Sequence, residues 1–247
     1  MRTYSIVMLA LVSLILCAIT GCIEEDNRED PDLITGSGNI IILTFDHMDF
    51  DEVQIGSAFE AEITYSENFS IEIRIDDNIE DQLIVEKDGG RLRVMLTHNV
   101  SYRKITIEAT ITLPDIQGIF IEGAATAEVN GFDLDHSLKI DIEGASRLSS
   151  TINSGDLDLD VEGAGRITLE GEGGDADITA LGASNVDLEE FKTGDTDVYA
   201  DGASSVTVFP TGNLTGSVSG ASRLEYVGDP AEVDVTENDV STVEKKD

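Results

Sequence analysis

From Ile119 onward, apolar and polar residues alternate in short runs, and the runs recur. Aligned on a set of glycines, Ile119, Ile140, Leu159, Ile178 and Val198 stand four residues before, with Gly216 in the sixth repeat. Two before stand Ile121, Ile142, Val161, Ala180, Ala200 and Val218; six before stand Leu138, Leu157, Ala176, Thr196 and Leu214. Four after stand Ala127, Leu148, Ile167, Val186, Val206 and Leu224. A period of two predicts β-strand rather than helix. The glycines are Gly123, Gly144, Gly163, Gly182, Gly202 and Gly220, each followed by alanine, at steps of 21, 19, 19, 20 and 18 residues. Two short strands repeated about every twenty residues predict one coil laid on the next. The expected fold class is all-β: a parallel β-helix or β-solenoid of six to seven short coils, roughly 30 Å long at about 4.8 Å per coil.

The glycine should supply backbone freedom at a corner, and the alanine should fit a tight interior there. Ser146, Ser184, Ser204 and Ser222 follow the alanine and predict a stacked hydroxyl column. A second bend is expected at Asn130-Gly131, Asn153-Ser154-Gly155 and Gly171 to Gly174. Val235, Asp239, Ser241 and Val243 keep the phase without the Gly-Ala pair, as a polar terminal cap would. Residues 37–114 lack the repeat. Their alternation predicts strands at Val53 to Tyr65, Ser70 to Ile75, Gln82 to Glu86, Arg91 to Thr97 and Ile105 to Leu113, with a hairpin at Gly89-Gly90. This section should be antiparallel or mixed and cap the first coil.

Charge sharpens the picture. The chain has 50 acidic and 15 basic residues in 247, a formal net charge of -35. Nucleic acid and anionic lipid surfaces are thereby disfavoured as partners. Three explanations compete: solubility at high salt, binding of divalent cations or a cationic partner, and general colloidal solubility. The acids fall into columns between the core positions. They comprise Glu122, Glu143, Glu162 and Asp201; Asp158, Asp177 and Asp197; and Asp156, Asp175 and Asp195. Stacked like charges destabilise strand pairs unless counter-ions intervene. Aromatic residues are few and tryptophan is absent, which disfavours a carbohydrate-stacking cleft.

The N-terminus reads as an export signal. Arg2 precedes an apolar run from Ile6 to Ile19, short for a membrane span. Ile19-Thr20-Gly21-Cys22 fits a lipobox, making Cys22 the expected lipid attachment site; Cys17 lies inside the signal. A single cysteine would remain, excluding an internal disulfide. The expected division is a signal peptide over 1–21, an acidic tether over 22–36, an N-terminal β section over 37–114, and coils with a degenerate cap over 115–247.

No pattern of catalytic chemistry emerges. His47, His98 and His136 lack metal-ligand spacing, and no Gly-x-Ser-x-Gly elbow occurs. The Gly-Ala-Ser serines repeat too regularly to be nucleophiles. Polysaccharide-cleaving β-helices carry long loops on one face, which these short coils lack. Arg147, Arg166 and Arg223 are expected to pair with nearby acids. Carboxylate columns suit weak, distributed divalent-cation binding, but the calcium β-roll pattern is represented only by the fragment Gly173-Gly174-Asp175. No catalytic residue, metal site or cofactor is therefore assigned. Asn68, Asn99 and Asn213 open N-glycosylation sequons.

The order of features resembles a known family. Phe50-Asp51-Glu52-Val53-Gln54-Ile55 precedes Phe59 to Ile63, then Asp76-Asp77-Asn78-Ile79, Leu83-Ile84-Val85 and the hairpin to Leu92. Ile111-Thr112-Leu113-Pro114-Asp115-Ile116 then leads into the Gly-Ala-Ser coils. Over roughly Gly38 to Val227 the chain resembles the head GIN domain of autotransporter adhesins, although the literal Gly-Ile-Asn tripeptide is absent. The resemblance implies a β-solenoid-like fold and an adhesin or surface role, and carries over no catalytic residue. No translocation barrel follows, so secretion would rest on the lipoprotein signal. The expected protein is non-catalytic, lipid-anchored and extracytoplasmic, in adhesin-like or envelope contact. Its expected partners are the membrane through the lipid, a surface polysaccharide or protein, and weakly held divalent cations. The alternatives are a passive envelope protein adapted to high salt and, behind it, a polysaccharide-cleaving β-helix.

Overall fold

The computed structural model describes residues 33–98 and 100–246. The expected signal peptide, Cys17, Cys22, the tether up to Asp32 and the sequon residue Asn99 lie outside the described residues.

Each coil contributes one strand to each of two facing sheets, one of ten strands and one of eleven. The repeat positions stack in register. Ile119, Ile140, Leu159, Ile178, Val198 and Gly216 form one parallel column. Ala127, Leu148, Ile167, Val186, Val206 and Leu224 form another on the facing sheet. Both columns point inward, and their apolar side chains join one continuous core. Each full burial of such a side chain stabilises by about 1.5–3 kcal/mol, which favours the register that keeps every coil's apolar set on the inside.

The corner works differently from the sequence expectation. The repeat glycines hold positive φ, +84° at Gly182 for example. This turns the following alanine outward, where Ala124, Ala145, Ala164, Ala183, Ala203 and Ala221 are all exposed. From Ala145 onward their N–H groups donate to the carbonyl of the glycine one coil earlier, as in Ala183 to Gly163 and Ala203 to Gly182 at 2.7 Å. The tight interior instead holds the next residue: Ser146, Ser184, Ser204 and Ser222 are buried. The hydroxyl column forms in part. Ser184 Oγ donates to Ser204 Oγ at 3.1 Å, and the Ser204 N–H donates to Ser222 Oγ at 3.2 Å. Gly165 occupies the position between Ser146 and Ser184, and Ser146 Oγ is buried without a hydrogen-bond partner among the described residues.

The N-terminal section is mixed, as expected, and it also contains coils that carry no Gly-Ala. The expected strand from Val53 to Tyr65 divides into Glu52–Ile55 and Glu60–Tyr65. These pair in parallel with Gly118–Ile121 and Thr126–Asp133. On their other side they pair in parallel with Arg91–Leu96 and Ile107–Leu113. Ser57 takes the corner position at φ +63°. Its carbonyl accepts from Ala124 N–H at 2.7 Å, and its hydroxyl accepts from Leu96 N–H at 3.0 Å. The stack therefore departs from chain order and crosses the expected division at Pro114.

Antiparallel strands close this end. Ser70–Asp76 pairs with Ile107–Leu113, Ile40–Phe45 with Ser70–Asp76, and Leu83–Asp88 with Arg91–Leu96. The last residues of the expected tether form the strand Leu33–Thr35, parallel to Ser101–Arg103. The buried Asp76 carboxylate accepts from Gly38 N–H at 2.6 Å and Thr106 N–H at 2.7 Å, tying this segment to the fold. At the other end Asp239, at φ +59°, stands in for the glycine. Val240 N–H donates to the Gly220 carbonyl at 3.0 Å.

Two substitutions test this account by urea unfolding. Gly182→Ala places a Cβ 2.6 Å from the Gly163 carbonyl oxygen at a left-handed φ, and should cost about 2 kcal/mol or more. Ser146→Ala removes a buried hydroxyl without a partner and should raise stability by about 1 kcal/mol.

Candidate functional site

The acidic columns converge on the outer face of the ten-stranded sheet. Asp158, Asp177 and Asp197 lie in direct register on neighbouring parallel strands. Beside them, where each coil enters that sheet, stand Asp156, Asp175 and Asp195. The two columns line an open groove of about 600 Å³ that also includes Asn213 and Thr215.

The second column is a hydrogen-bonded ladder. Asp156 Oδ1 accepts from Asp175 N–H at 3.0 Å, and Asp175 Oδ1 accepts from Asp195 N–H at 2.8 Å. Asp195 Oδ1 accepts from Asn213 N–H at 2.7 Å. Each carboxylate thus caps an amide of the next coil, and charge-assisted bonds of this kind offset like-charge repulsion. The glycine before each rung makes room for it. A Cβ on Gly174, Gly194 or Gly212 would lie 2.4, 2.4 or 2.2 Å from the Oδ1 of Asp156, Asp175 or Asp195. This second repeat, Gly155-Asp156, Gly174-Asp175, Gly194-Asp195 and Gly212-Asn213, escaped the sequence reading. Its near-constant spacing, parallel to that of the Gly-Ala pairs, was the available signal.

The first column has a cation at one end and neutral residues at the other. Lys139 Nζ bonds Asp158 at 2.9 Å and Asp160 at 3.1 Å. Thr215 Oγ1 donates to Asp197 at 2.7 Å. The column through Glu162 and Asp201 is interrupted by Leu181 in register between them. The Ser219 hydroxyl donates to Asp201 at 2.6 Å and holds its carboxyl below the usual range. On the facing sheet Glu60 pairs with Glu108 and Glu62 with Glu128, a second acidic patch.

The other expected residues stay dispersed. His47 Nε2 lies 3.3 Å from the Val85 carbonyl, His98 lines a separate corner cavity, and His136 Nε2 lies 2.9 Å from Asp115. The Ser137 carbonyl and then Asp115 raise the His136 pKa. Among the described residues no His, Cys, Asp and Glu group is arranged to hold a metal ion. Arg223 bonds Glu244 at 2.7 Å as anticipated. Arg147 and Arg166 depart from expectation: they stand side by side in register, and no carboxylate engages either among the described residues. Their column neighbours are Thr126 and Asn185, which offer no charge. Of the sequon residues, Asn68 is exposed in a turn and Asn213 is half-buried at the groove.

Asp141 lies on Leu138–Ile142, the strand paired with Leu157–Gly163 beside the groove. It lies in register between Phe120 and Asp160. Burial, then the Asp160 charge, raises its pKa. The fold therefore favours the neutral carboxyl, a preference present below the unfolded aspartate range near pH ~4 and lost as pH rises through the folded value. Asp141→Asn should melt higher than the parent at pH 7, and the gap should shrink as pH falls towards about 4 and be closed below it, as followed by thermal unfolding across pH.

The architecture has solved counterparts. A crystal structure described as a "putative adhesin" from Bacteroides fragilis superposes with a TM-score of 0.80 at 20% identity, covering 86% of this chain and all of that one. A "putative lipid binding protein" from Parabacteroides distasonis superposes at 0.65 and 16% identity, covering 87% of this chain and 100% of that one. A "putative adhesin" from Parabacteroides merdae gives 0.61 and 17%, again covering 87% and 100%. No functionally curated protein matches the chain. At these identities the likeness is one of fold. The family model described as "putative auto-transporter adhesin, head GIN domain" matches residues 49–230, and the chain belongs to that family.

Proposed function

We propose that this protein is a non-catalytic, lipid-anchored surface protein that makes adhesin-like or envelope contacts through the acidic face of its ten-stranded sheet. The observation that carries the reading is the aspartate ladder. Its Oδ1 atoms are committed to the backbone of the next coil, so this column is held at the coil spacing along the open groove. A regular row of fixed carboxylates suits extended contact through shared hydrated divalent cations, with a surface polysaccharide or protein as the other side. Family membership supports a cell-surface or envelope location, and Cys22 is the proposed lipid attachment site. Asn68, Asn99 and Asn213 are proposed acceptors only where the host glycosylates its surface proteins.

A passive envelope protein adapted to salt is the second reading, supported by the net charge of -35. Thermal unfolding in calcium, magnesium and sodium at matched ionic strength separates the two. Cation-bridged contact predicts a saturable, calcium-selective rise in Tm. A rise that follows ionic strength alone would count against it and favour the passive reading.

The ladder itself is testable at low salt. Asp175→Asn keeps an acceptor for Asp195 N–H while removing a charge, so it should raise Tm and flatten its salt dependence. Asp175→Ala removes the acceptor and should cost about 1 kcal/mol relative to Asn. If Asn and Ala variants behave alike, the Oδ1 bond is not what holds the column.

A further inference from the structure

The two large sheets have four edges, and one differs from the rest. Three carry charged residues: Leu83–Asp88 holds Glu86, Lys87 and Asp88; Glu232–Glu237 holds Glu232, Asp234 and Glu237; Thr242–Lys245 holds Glu244 and Lys245. Charged side chains are a common guard against edge-to-edge pairing. The fourth edge, Ile40–Phe45, reads Ile-Ile-Ile-Leu-Thr-Phe and has no charge at all. Among the described residues it pairs on one side only, antiparallel to Ser70–Asp76.

This edge also leaves the core incompletely covered. Ile42 is 59% exposed and Ile40 37% exposed on the outer face. On the inner face Ile41, Leu43 and Phe45 are only partly buried, as are Leu83 and Val85 at the corresponding end of the facing sheet. At the far end Val233 is 42% exposed, but it sits on a strand that carries three carboxylates, whereas Ile40–Phe45 carries none.

We propose that this end is a homodimer interface, in which Ile40–Phe45 pairs antiparallel with the same strand of a second copy. The occupant follows from charge and symmetry. A molecule with a net charge of -35 repels its own copies over most of its surface, and this strand brings no carboxylate of its own to the contact. An antiparallel strand can pair with itself about a two-fold axis, giving a closed, self-complementary contact. Side chains directly opposite must share a face. Placing Ile42 opposite Ile42 meets that condition, sets Ile40 opposite Thr44, and sets Ile41 opposite Leu43. The two eleven-stranded sheets then run on as one, and the half-covered residues of each core meet their counterparts.

Sedimentation of the full chain carrying Cys17→Ser and Cys22→Ser, with and without Ile42→Lys, tests the interface. The parent should be a reversible dimer that tightens as salt screens the acidic surfaces. Ile42→Lys should be monomeric and folded, with the Tm that the parent shows when diluted to monomer, because lysine is well tolerated at an exposed edge. Register is read from single cysteines in the same background. Ile42→Cys should form a disulfide-linked dimer readily, since opposed residues lie within bridging distance. Thr44→Cys should not, because its two copies would stand about 13 Å or more apart along the strands at roughly 3.4 Å per residue. A parent that stays monomeric, or a dimer indifferent to Ile42→Lys, overturns the proposal. So does a monomer whose binding to phosphatidylcholine vesicles is lost in Ile42→Lys, which would assign the edge to lipid. Equal cross-linking at residues 42 and 44 overturns the register.

Discussion

The structure depends on a single contact repeated at one corner: an alanine N–H donating to the carbonyl of the glycine one coil earlier. The approach is so close that a Cβ on the glycine would overlap the preceding backbone. Glycine also holds the positive φ that the turn requires. These two demands, space and handedness, fall on one residue, and they set the coil length from corner to corner. From the corner onward the strands start in register and inward positions stay inward, and differences in coil length are taken up by register shifts further along the strand, as between Asp187 and Lys192. Where the glycine is missing, another device replaces it. Ser57 and Asp239 both adopt positive φ, and each uses a side-chain oxygen to accept an N–H from the adjoining coil.

Strict register has an electrostatic consequence. Parallel coils place like residues on like residues, so an acidic outward position becomes an acidic column. The protein relieves this in several local ways. One column turns its carboxylates into backbone acceptors, and another is bonded by Lys139 at one end and Thr215 at the other. A third is broken by Leu181. At Arg147 and Arg166 the same rule stacks two cations, and no carboxylate engages either among the described residues. The acidic face is thus both a product of the architecture and the surface on which any contact function would act.

The coils were legible because period and composition agree over six repeats, and a period-two pattern identifies the inward side of each strand. The N-terminal coils were hidden for a physical reason. Ser57 does the work of glycine, and an insertion between Arg91–Leu96 and Ile107–Leu113 breaks the spacing that reveals a repeat. The columns of acids were also readable, as was the degenerate last coil. Their chemistry was not: nothing in the residue types says that an Asp175 oxygen points at the Asp195 amide rather than at solvent.

By itself the sequence determined the repeat, the two strands per coil, the inward columns and the acidic exterior, since each follows from local periodicity and side-chain type. Only the tertiary structure decided that alanine faces out and serine in, because that depends on the sign of φ at the preceding glycine. It alone placed the Glu52–Tyr65 coil between coils that follow it in the chain, because stacking order is a matter of which open edges meet. It alone left one edge without charge and only partly covered, because an edge exists only after every other strand has found its partner.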